Sequence, residues 1–242
     1  MGHRIMYIPK PVNPIYYPEY GLLYNWYAAT DVKKISSSDD WVVPTLVNYQ
    51  TLANALGANS NWTGNNVGNK LKESGTTYWN IGNNGTNEAL FNIRGSGQRN
   101  TSGIFGYQKV ITDFWTTTNM VPNVYATAYL DYSGAYFYVT IGHGNKTKSG
   151  LPIRLLYTGT GTPTYYTGNN GKVYRVVTIG TQTWLADNLT ETRFRNGDII
   201  PWYGANSANF FTNAEWAALT TAGCCAYNNT LNNVAAGFTF PT

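Results

Sequence analysis

The stretch FWTTTNMVPNVYATAYLDYSGAYFYVTIGHGNKTKSGLPIR, residues 114–154, carries the strand pattern from which the rest of the chain can be interpreted. Two runs within it alternate with a period of two, which predicts half-buried strands. One face of the first run carries small or aliphatic residues, namely Ala126, Ala128 and Leu130. The opposite face carries Tyr125, Thr127 and Tyr129. This pattern predicts a strand with its aliphatic face against a core.

The second run repeats the pattern after a predicted turn, DYSG, at residues 131–134. Its apolar face consists of Phe137, Val139 and Ile141, and its opposite face of Tyr136, Tyr138 and Thr140. Burial of both aliphatic faces predicts a two-stranded ribbon that shows solvent mostly Tyr and Thr. Exposed aromatic patches usually mark an interaction site, and Tyr offers a large contact area at low entropy cost. Ligand contact and packing under a loop or a neighbouring chain both remain open.

The composition is polar but weakly charged. Charged residues make up 12% of the chain, about half the usual quarter, whereas aromatic residues make up 15%. This composition is more typical of extracellular or virion-exposed β-rich proteins than of cytosolic metabolic enzymes. The net charge of +4 is spread along the chain without a Lys/Arg run, so the sequence predicts no nucleic-acid partner.

The residues give no sign of catalysis or of a metal site. Cys224 and Cys225 are adjacent, and vicinal cysteines form only a strained disulfide, so we expect two thiols with at least one of them buried. His3 and His143 are the two histidines, and no nucleophile elbow, phosphate loop or zinc spacing accompanies them. Carboxylates are too sparse to predict calcium binding. We therefore expect no enzyme activity and no cofactor.

The N-terminus reads as an extended arm over residues 1–19, because Pro at this density blocks helices and central strands. Such an arm is expected to lie on a partner or a neighbouring subunit. The chain has neither an apolar run of signal-peptide length nor one of transmembrane length. With Met1 as the start, these features favour a virus particle assembled inside the cell over an exported protein.

The rest of the sequence contains local signals for where helices, strands and turns begin and end. Thr45 predicts the N-cap of a helix over residues 46–57, with Val47, Leu52 and Leu56 facing the core and Gly57 as its stop. Further predictions are a short helix or turn at 68–75, a central strand in IRLLY (153–157), a Gly/Thr linker at 158–171, a hairpin at 172–185 that turns at Gly180, and a short helix at 213–219. Six tryptophans are expected in the core: Trp26, Trp41, Trp79, Trp115, Trp184 and Trp216.

Several long motifs resemble the Fibrobacter succinogenes major paralogous domain family. They are YGLLYNWYAA (20–29), WVVPT (41–45), GNKLKESGTTYWN (68–80), FNIRGSGQRN (91–100), FWT (114–116), SGLPIRLL (149–156), VYRVVTIGTQTWLADNLTETRFRNGDIIP (173–201) and AEWAALTTAGCCAYNN (214–229). The resemblance implies an α+β chain with a C-type lectin-like fold. We expect it to be loop-rich, with short antiparallel strands and two short helices, preceded by the Pro-rich arm.

The order of these motifs departs from the family. The VYRVVTIGTQTWLADNL element comes first in the family, whereas here it follows the rest. Residues 172–242 are therefore predicted to complete, as a permuted segment, the domain begun at 20–157. The alternative is a tandem array cut out of frame, in which 172–242 completes a neighbouring chain's domain.

The resemblance also implies a role in binding, since related variable proteins and phage receptor-binding tips carry their variable residues on the final strands. The corresponding candidates for ligand contact here are Asn123, Tyr125, Thr127, Tyr129, Asp131, Tyr132, Tyr136, Tyr138, Thr140 and His143. The expected partners are a host surface glycan or protein, other virion proteins through the arm, and further copies in a homotrimer. A structural virion or decoration protein and a bacterial cell-surface adhesin are the alternatives.

Overall fold

A computed structural model describes residues 18–59, 66–122, 124–140, 147–204 and 210–241, with the backbone alone for Thr140. The described residues form a mixed α+β structure of mostly short antiparallel strands and a few short helices. The strands are β1 (Leu23–Tyr24), β2 (Trp41–Val42), β3 (Gln98–Arg99), β4 (Phe105–Gly106), β5 (Ile111–Val121), β6 (Val124–Asp131), β7 (Tyr138–Thr140), β8 (Leu156–Tyr157), β9 (Tyr165–Thr167), β10 (Val173–Ile179), β11 (Gln182–Leu185) and β12 (Cys224–Cys225). The helices are α1 (Trp26–Ala29), α2 (Leu46–Ala55), α3 (Val67–Leu71) and α4 (Asn213–Ala218), with 3-10 turns at Tyr227–Asn229 and Leu231–Asn233. The described chain thus holds four α-helices where two were expected.

Helix α2 confirms the predicted cap. The Thr45 hydroxyl accepts from the backbone N–H of Asn48, whose side chain accepts in return from the Thr45 N–H. Gly57 follows the helix with φ +93°, a conformation that suits glycine. Leu52 is buried as predicted, but the prediction for Val47 is wrong, since its side chain is 64% exposed.

A five-stranded sheet, in the order β2-β8-β11-β10-β9, joins the two ends of the sequence. The hairpin β10–β11 turns at Gly180, which has φ +60°, and it inserts beside the predicted central strand, β8. In the segment predicted as a linker, β9 pairs with β10 as an edge strand. Strand β12 pairs with β1. In this structure residues 172–241 therefore pack on residues 18–157 of the same chain.

The two ends of the described chain also meet at one point. The backbone N–H of Glu19 donates to the carbonyl of Val234 at 2.8 Å, and that of Tyr20 donates to the carbonyl of Asn233 at 2.9 Å.

The predicted ribbon is a sheet of three strands, β5-β6-β7, so the expectation of two strands is wrong. Strand β5 was missed because TTTNM, in its second half, lacks a clean alternation. Two irregularities in register interrupt its pairing with β6 in the same half. The predicted apolar faces of the other two strands are confirmed for the residues that the structure describes, and Ile141 lies outside them. Ala126, Ala128, Leu130, Phe137 and Val139 are all buried, in one core cluster with Tyr49 of α2.

The core holds the six tryptophans that the sequence places there: each is at most 9% exposed. Arg154, in the segment leading to β8, is buried beside them and donates to the carbonyls of Phe91 and Asn92 and to Oδ1 of Asn188. Both cysteines are free and buried, as expected. Among the described residues, no helix has the length and apolar character needed to cross a membrane.

Candidate functional site

Three aromatic side chains, Tyr129, Tyr136 and Tyr138, form the centre of the candidate site and are called the tyrosine face below. Tyr129 of β6 lies directly opposite Tyr138 of β7, and their ring centroids are 5.9 Å apart. The rings of Tyr136 and Tyr138 meet edge to face at 5.8 Å. Tyr136 is 38% exposed and the other two are partly exposed. The structure therefore brings together three of the predicted residues on one surface.

The other end of this face is closed to solvent, so the expectation of an open Tyr/Thr surface is wrong there. Tyr125 is 8% exposed and Thr127 is 3% exposed. Helix α1, capped by Asn25, lays Trp26 over this end, and its ring centroid is 3.8 Å from that of Tyr125. The sequence pattern of a single strand could not show this, because Trp26 comes from a distant segment.

A buried carboxylate borders the tyrosine face. Asp113 of β5 lies opposite Tyr129 and is 2% exposed. Burial, together with the charges of Asp131 and Asp113, raises the pKa of the Tyr129 hydroxyl to about 12. Tyr129 therefore keeps its proton at neutral pH and can donate a hydrogen bond to a ligand.

The turn between β6 and β7 engages two other predicted residues. Asp131 accepts through Oδ1 from the N–H groups of Ser133 (2.9 Å) and Gly134 (2.6 Å), so its carboxylate holds the turn. Tyr132 packs against the core cluster that contains Leu130. The structure thus places both outside the tyrosine face. Asn123 and His143 lie outside the described residues, and for Thr140 the structure gives its backbone pairing with Thr127.

A buried lysine that sequence reasoning missed supports the same turn. The ammonium of Lys72 donates to the carbonyls of Asp131 (2.9 Å), Tyr132 (3.0 Å) and Gly134 (2.7 Å) and to Oδ1 of Asn84 (2.5 Å). Burial lowers its pKa to about 8, and Asp131 acts in the opposite direction. In the sequence Lys72 looks like a surface lysine, because three of its four acceptors are backbone carbonyls more than fifty residues away, which carry no sequence signal.

Helix α3 approaches the tyrosine face more closely than a side chain would allow. The N–H of Gly68 donates to the carbonyl of Ala135 at 2.8 Å. A Cβ at Gly68 would lie 2.5 Å from the carbonyl oxygen of Tyr136. Gly68 therefore fixes the position of the backbone that carries the most exposed tyrosine of the face.

The two adjacent cysteines have the character of core residues. Burial raises the pKa of the Cys225 thiol to about 12, against the effect of Arg99, and it raises the pKa of Cys224 well above the ordinary range. Thiols of this kind are poor nucleophiles. No group of three or more His, Cys, Asp or Glu side chains that could hold a metal occurs among the residues described.

Comparisons with known proteins place the chain in a family. No curated protein and no solved structure matches it. The model of the Fibrobacter succinogenes major domain matches residues 6–156, which include the three tyrosines, Gly68 and Lys72. The motifs at 173–201 and 214–229 lie outside this match, so their assignment to the family stays a prediction. Because the match covers more than half of the 242 residues, the chain belongs to the Fibrobacter succinogenes major domain family.

Proposed function

We propose that the chain is a non-enzymatic binding module with a C-type lectin-like fold, which recognises a host cell-surface glycan or protein through the tyrosine face. The observation that carries the proposal is the partly exposed cluster of Tyr129, Tyr136 and Tyr138 on a sheet whose opposite face is buried. Aromatic side chains on a rigid support give a large contact area without a large loss of conformational entropy on binding.

The surroundings of the cluster support this role. Lys72 and Asp131 fix the turn from both sides, and Gly68 fixes the backbone beside Tyr136. The face is therefore organised before a ligand arrives. Phenol rings pack on the apolar face of a sugar or on a protein side chain, and their hydroxyl groups donate and accept hydrogen bonds.

The proposed location is a bacteriophage virion, with the chain as a fibre or tip component. The low charge and the Pro-rich arm support this placement, since the arm offers an attachment to other virion proteins. A homotrimer is proposed by analogy with other virion fibres. A structural virion protein would use the tyrosine face between subunits, and a cell-surface adhesin would use it as a virion tip does.

The test is the double variant Tyr129→Ala/Tyr136→Ala, assayed on a glycan array and on a panel of intact bacterial cells. Tyr165→Ala is the matched control, because Tyr165 is a partly exposed tyrosine on the five-stranded sheet. We expect the double variant to lose binding with its circular dichroism spectrum unchanged, and the control to keep binding. Retained binding by the double variant contradicts the proposal.

Light scattering and electron microscopy of the same proteins separate the structural alternative. If neighbouring subunits cover the tyrosine face in the wild type, and the double variant is a monomer, this surface is an assembly interface. A trimer with the tyrosine face pointing outward supports a receptor-binding tip.

A further inference from the structure

A second surface lies beyond the covered end of the tyrosine-bearing sheet. It is a cavity of about 650 Å³, called the groove below, and this volume falls in the range of small-molecule sites. Its lining includes two tryptophans, two acids and two bases: Trp26, Trp41, Asp31, Asp39, Lys34 and Arg195. Thr117 of β5 also lines it, so the groove is continuous with the sheet that carries the tyrosine face.

One wall of the groove is a loop, residues 31–40, that the C-terminal segment holds in place. Arg195 donates through its backbone N–H to the carbonyl of Lys34 and through Nε to the carbonyl of Ser36, each at 2.9 Å. The side-chain amide of Asn169 donates at 2.8 Å to the carbonyl of the residue between them. The loop is therefore fixed by contacts from two separate segments, which is the preorganisation that a binding site needs.

The polar groups of this wall point to a ligand. Lys34 has φ +59°, a conformation that non-glycine residues rarely adopt, and its carbonyl accepts from the backbone N–H of Arg195. Its ammonium makes no hydrogen bond or ion pair with any residue that the structure describes. The carboxylate of Asp39 is 89% exposed, although Oδ1 accepts from Arg195 at 2.6 Å. The rim thus offers a free donor beside a carboxylate with remaining acceptor capacity.

The balance of charges selects the class of ligand. Two carboxylates face an ammonium and a guanidinium, so the groove has no net charge with which to attract an ion. Hydroxyl groups donate hydrogen bonds to carboxylates and accept them from cations, so a ligand with hydroxyl groups can bind both kinds of group on this rim. The apolar lining, which includes Ala29 and Val42 beside the small exposed part of each tryptophan, supplies wall for the C–H face of a sugar. Ligand sites commonly combine an apolar wall with a few convergent polar groups in this way.

We propose that the groove binds one uncharged saccharide residue, with Lys34 and Asp39 holding its hydroxyl groups. The inference rests on the proposed function, since it makes the groove the sugar subsite next to the tyrosine face. Trp26 joins the two surfaces, because it lines the groove and packs on Tyr125.

The test is an NMR titration of the ¹⁵N-labelled protein with the methyl glycosides of glucose, galactose, mannose and N-acetylglucosamine. We expect at least one of them to shift amide signals of residues 31–40 and Thr117. Lys34→Ala is expected to weaken that binding about tenfold, and Asp39→Ala to weaken it similarly. The matched control is Lys33→Ala, because Lys33 pairs with Asp198 at 2.8 Å and does not line the groove.

Each alternative outcome overturns either the groove proposal or the proposed function. No shift with any neutral glycoside at high millimolar concentration overturns the proposal, as does equal weakening by Lys33→Ala. Tighter binding of methyl glucuronide or of glucosamine overturns the uncharged class. Cell binding that is lost in Tyr129→Ala/Tyr136→Ala, without glycoside shifts at the groove, overturns the groove and leaves the proposed function standing. Glycoside shifts at the groove, together with cell binding that the tyrosine variants leave unchanged, overturn the proposed function and leave the groove standing.

Discussion

The rings of Trp26 and Tyr125 pack with their centroids 3.8 Å apart, and this contact divides the sheet β5-β6-β7 into a covered end and an open end. At the covered end Tyr125 belongs to the core. At the open end Tyr136 is 38% exposed. Two tyrosines only eleven residues apart along the ribbon therefore have different roles, and mutation should separate them.

Tyr125→Ala should lower the free energy of unfolding by about 3–5 kcal/mol, because a buried aromatic ring is removed and leaves a cavity. Tyr136→Ala should lower it by no more than about 1 kcal/mol, since it loses one aromatic pair at a partly exposed site. Urea denaturation followed by tryptophan fluorescence measures both. Equal losses would show that the covered end and the open end do not differ as described.

Lys72→Met should lower the free energy of unfolding by at least about 3 kcal/mol. The change leaves three turn carbonyls and the side chain of Asn84 without their donor, and each unsatisfied buried group costs about 1–3 kcal/mol. Lys33→Met is the control, because its ion pair with Asp198 is exposed to solvent and its loss should cost much less stability than the loss of Lys72. If Lys72→Met is as stable as the control, the buried ammonium does not hold the turn.

Lys172 should make stability rise with pH above neutral. Its ammonium lies 4.6 Å from the ring centroid of Phe238, and burial lowers its pKa to about 8, although Glu191 and Cys224 act in the opposite direction. Between this value and the ordinary value of 10.5 the unfolded chain binds more protons, so a higher pH favours the folded state. The free energy of unfolding of the wild type, relative to Lys172→Met, should therefore increase by on the order of 1 kcal/mol from about pH 7 to about pH 9.5. A difference that is constant or falls over this interval contradicts the assignment.

Both cysteines should stay unreactive in the folded protein. Cys224 and Cys225 are completely buried, and burial raises the pKa of each thiol. Ellman's reagent at mildly alkaline pH should label neither thiol until denaturant is added, and then both. One rapidly labelled thiol per native chain would contradict the buried pairing of β12 with β1.

The sequence predicted features whose causes lie within a few residues. The alternation at 124–131, the cap at Thr45 and the turn at Gly180 depend on local geometry, and the structure confirms them. Trp26, which covers Tyr125, belongs to a helix far away in the chain. Strand periodicity therefore wrongly predicted that Tyr125 is exposed. The structural role of Lys72 could not be predicted for the same reason. Its ammonium donates mainly to backbone carbonyls, which every residue has. The groove could not be predicted either, since its fixed loop depends on Asn169 and Arg195, which lie in two separate segments that both follow the sheet β5-β6-β7 in the sequence.

The hydrogen bonds from Glu19 and Tyr20 to Asn233 and Val234 have a mechanical consequence. Tension applied between Glu19 and Val234 acts across these adjacent backbone contacts, because the two segments meet there. The sheet β5-β6-β7 lies outside that direct line of force. A surface used for adhesion would keep its shape while the tethered ends are pulled.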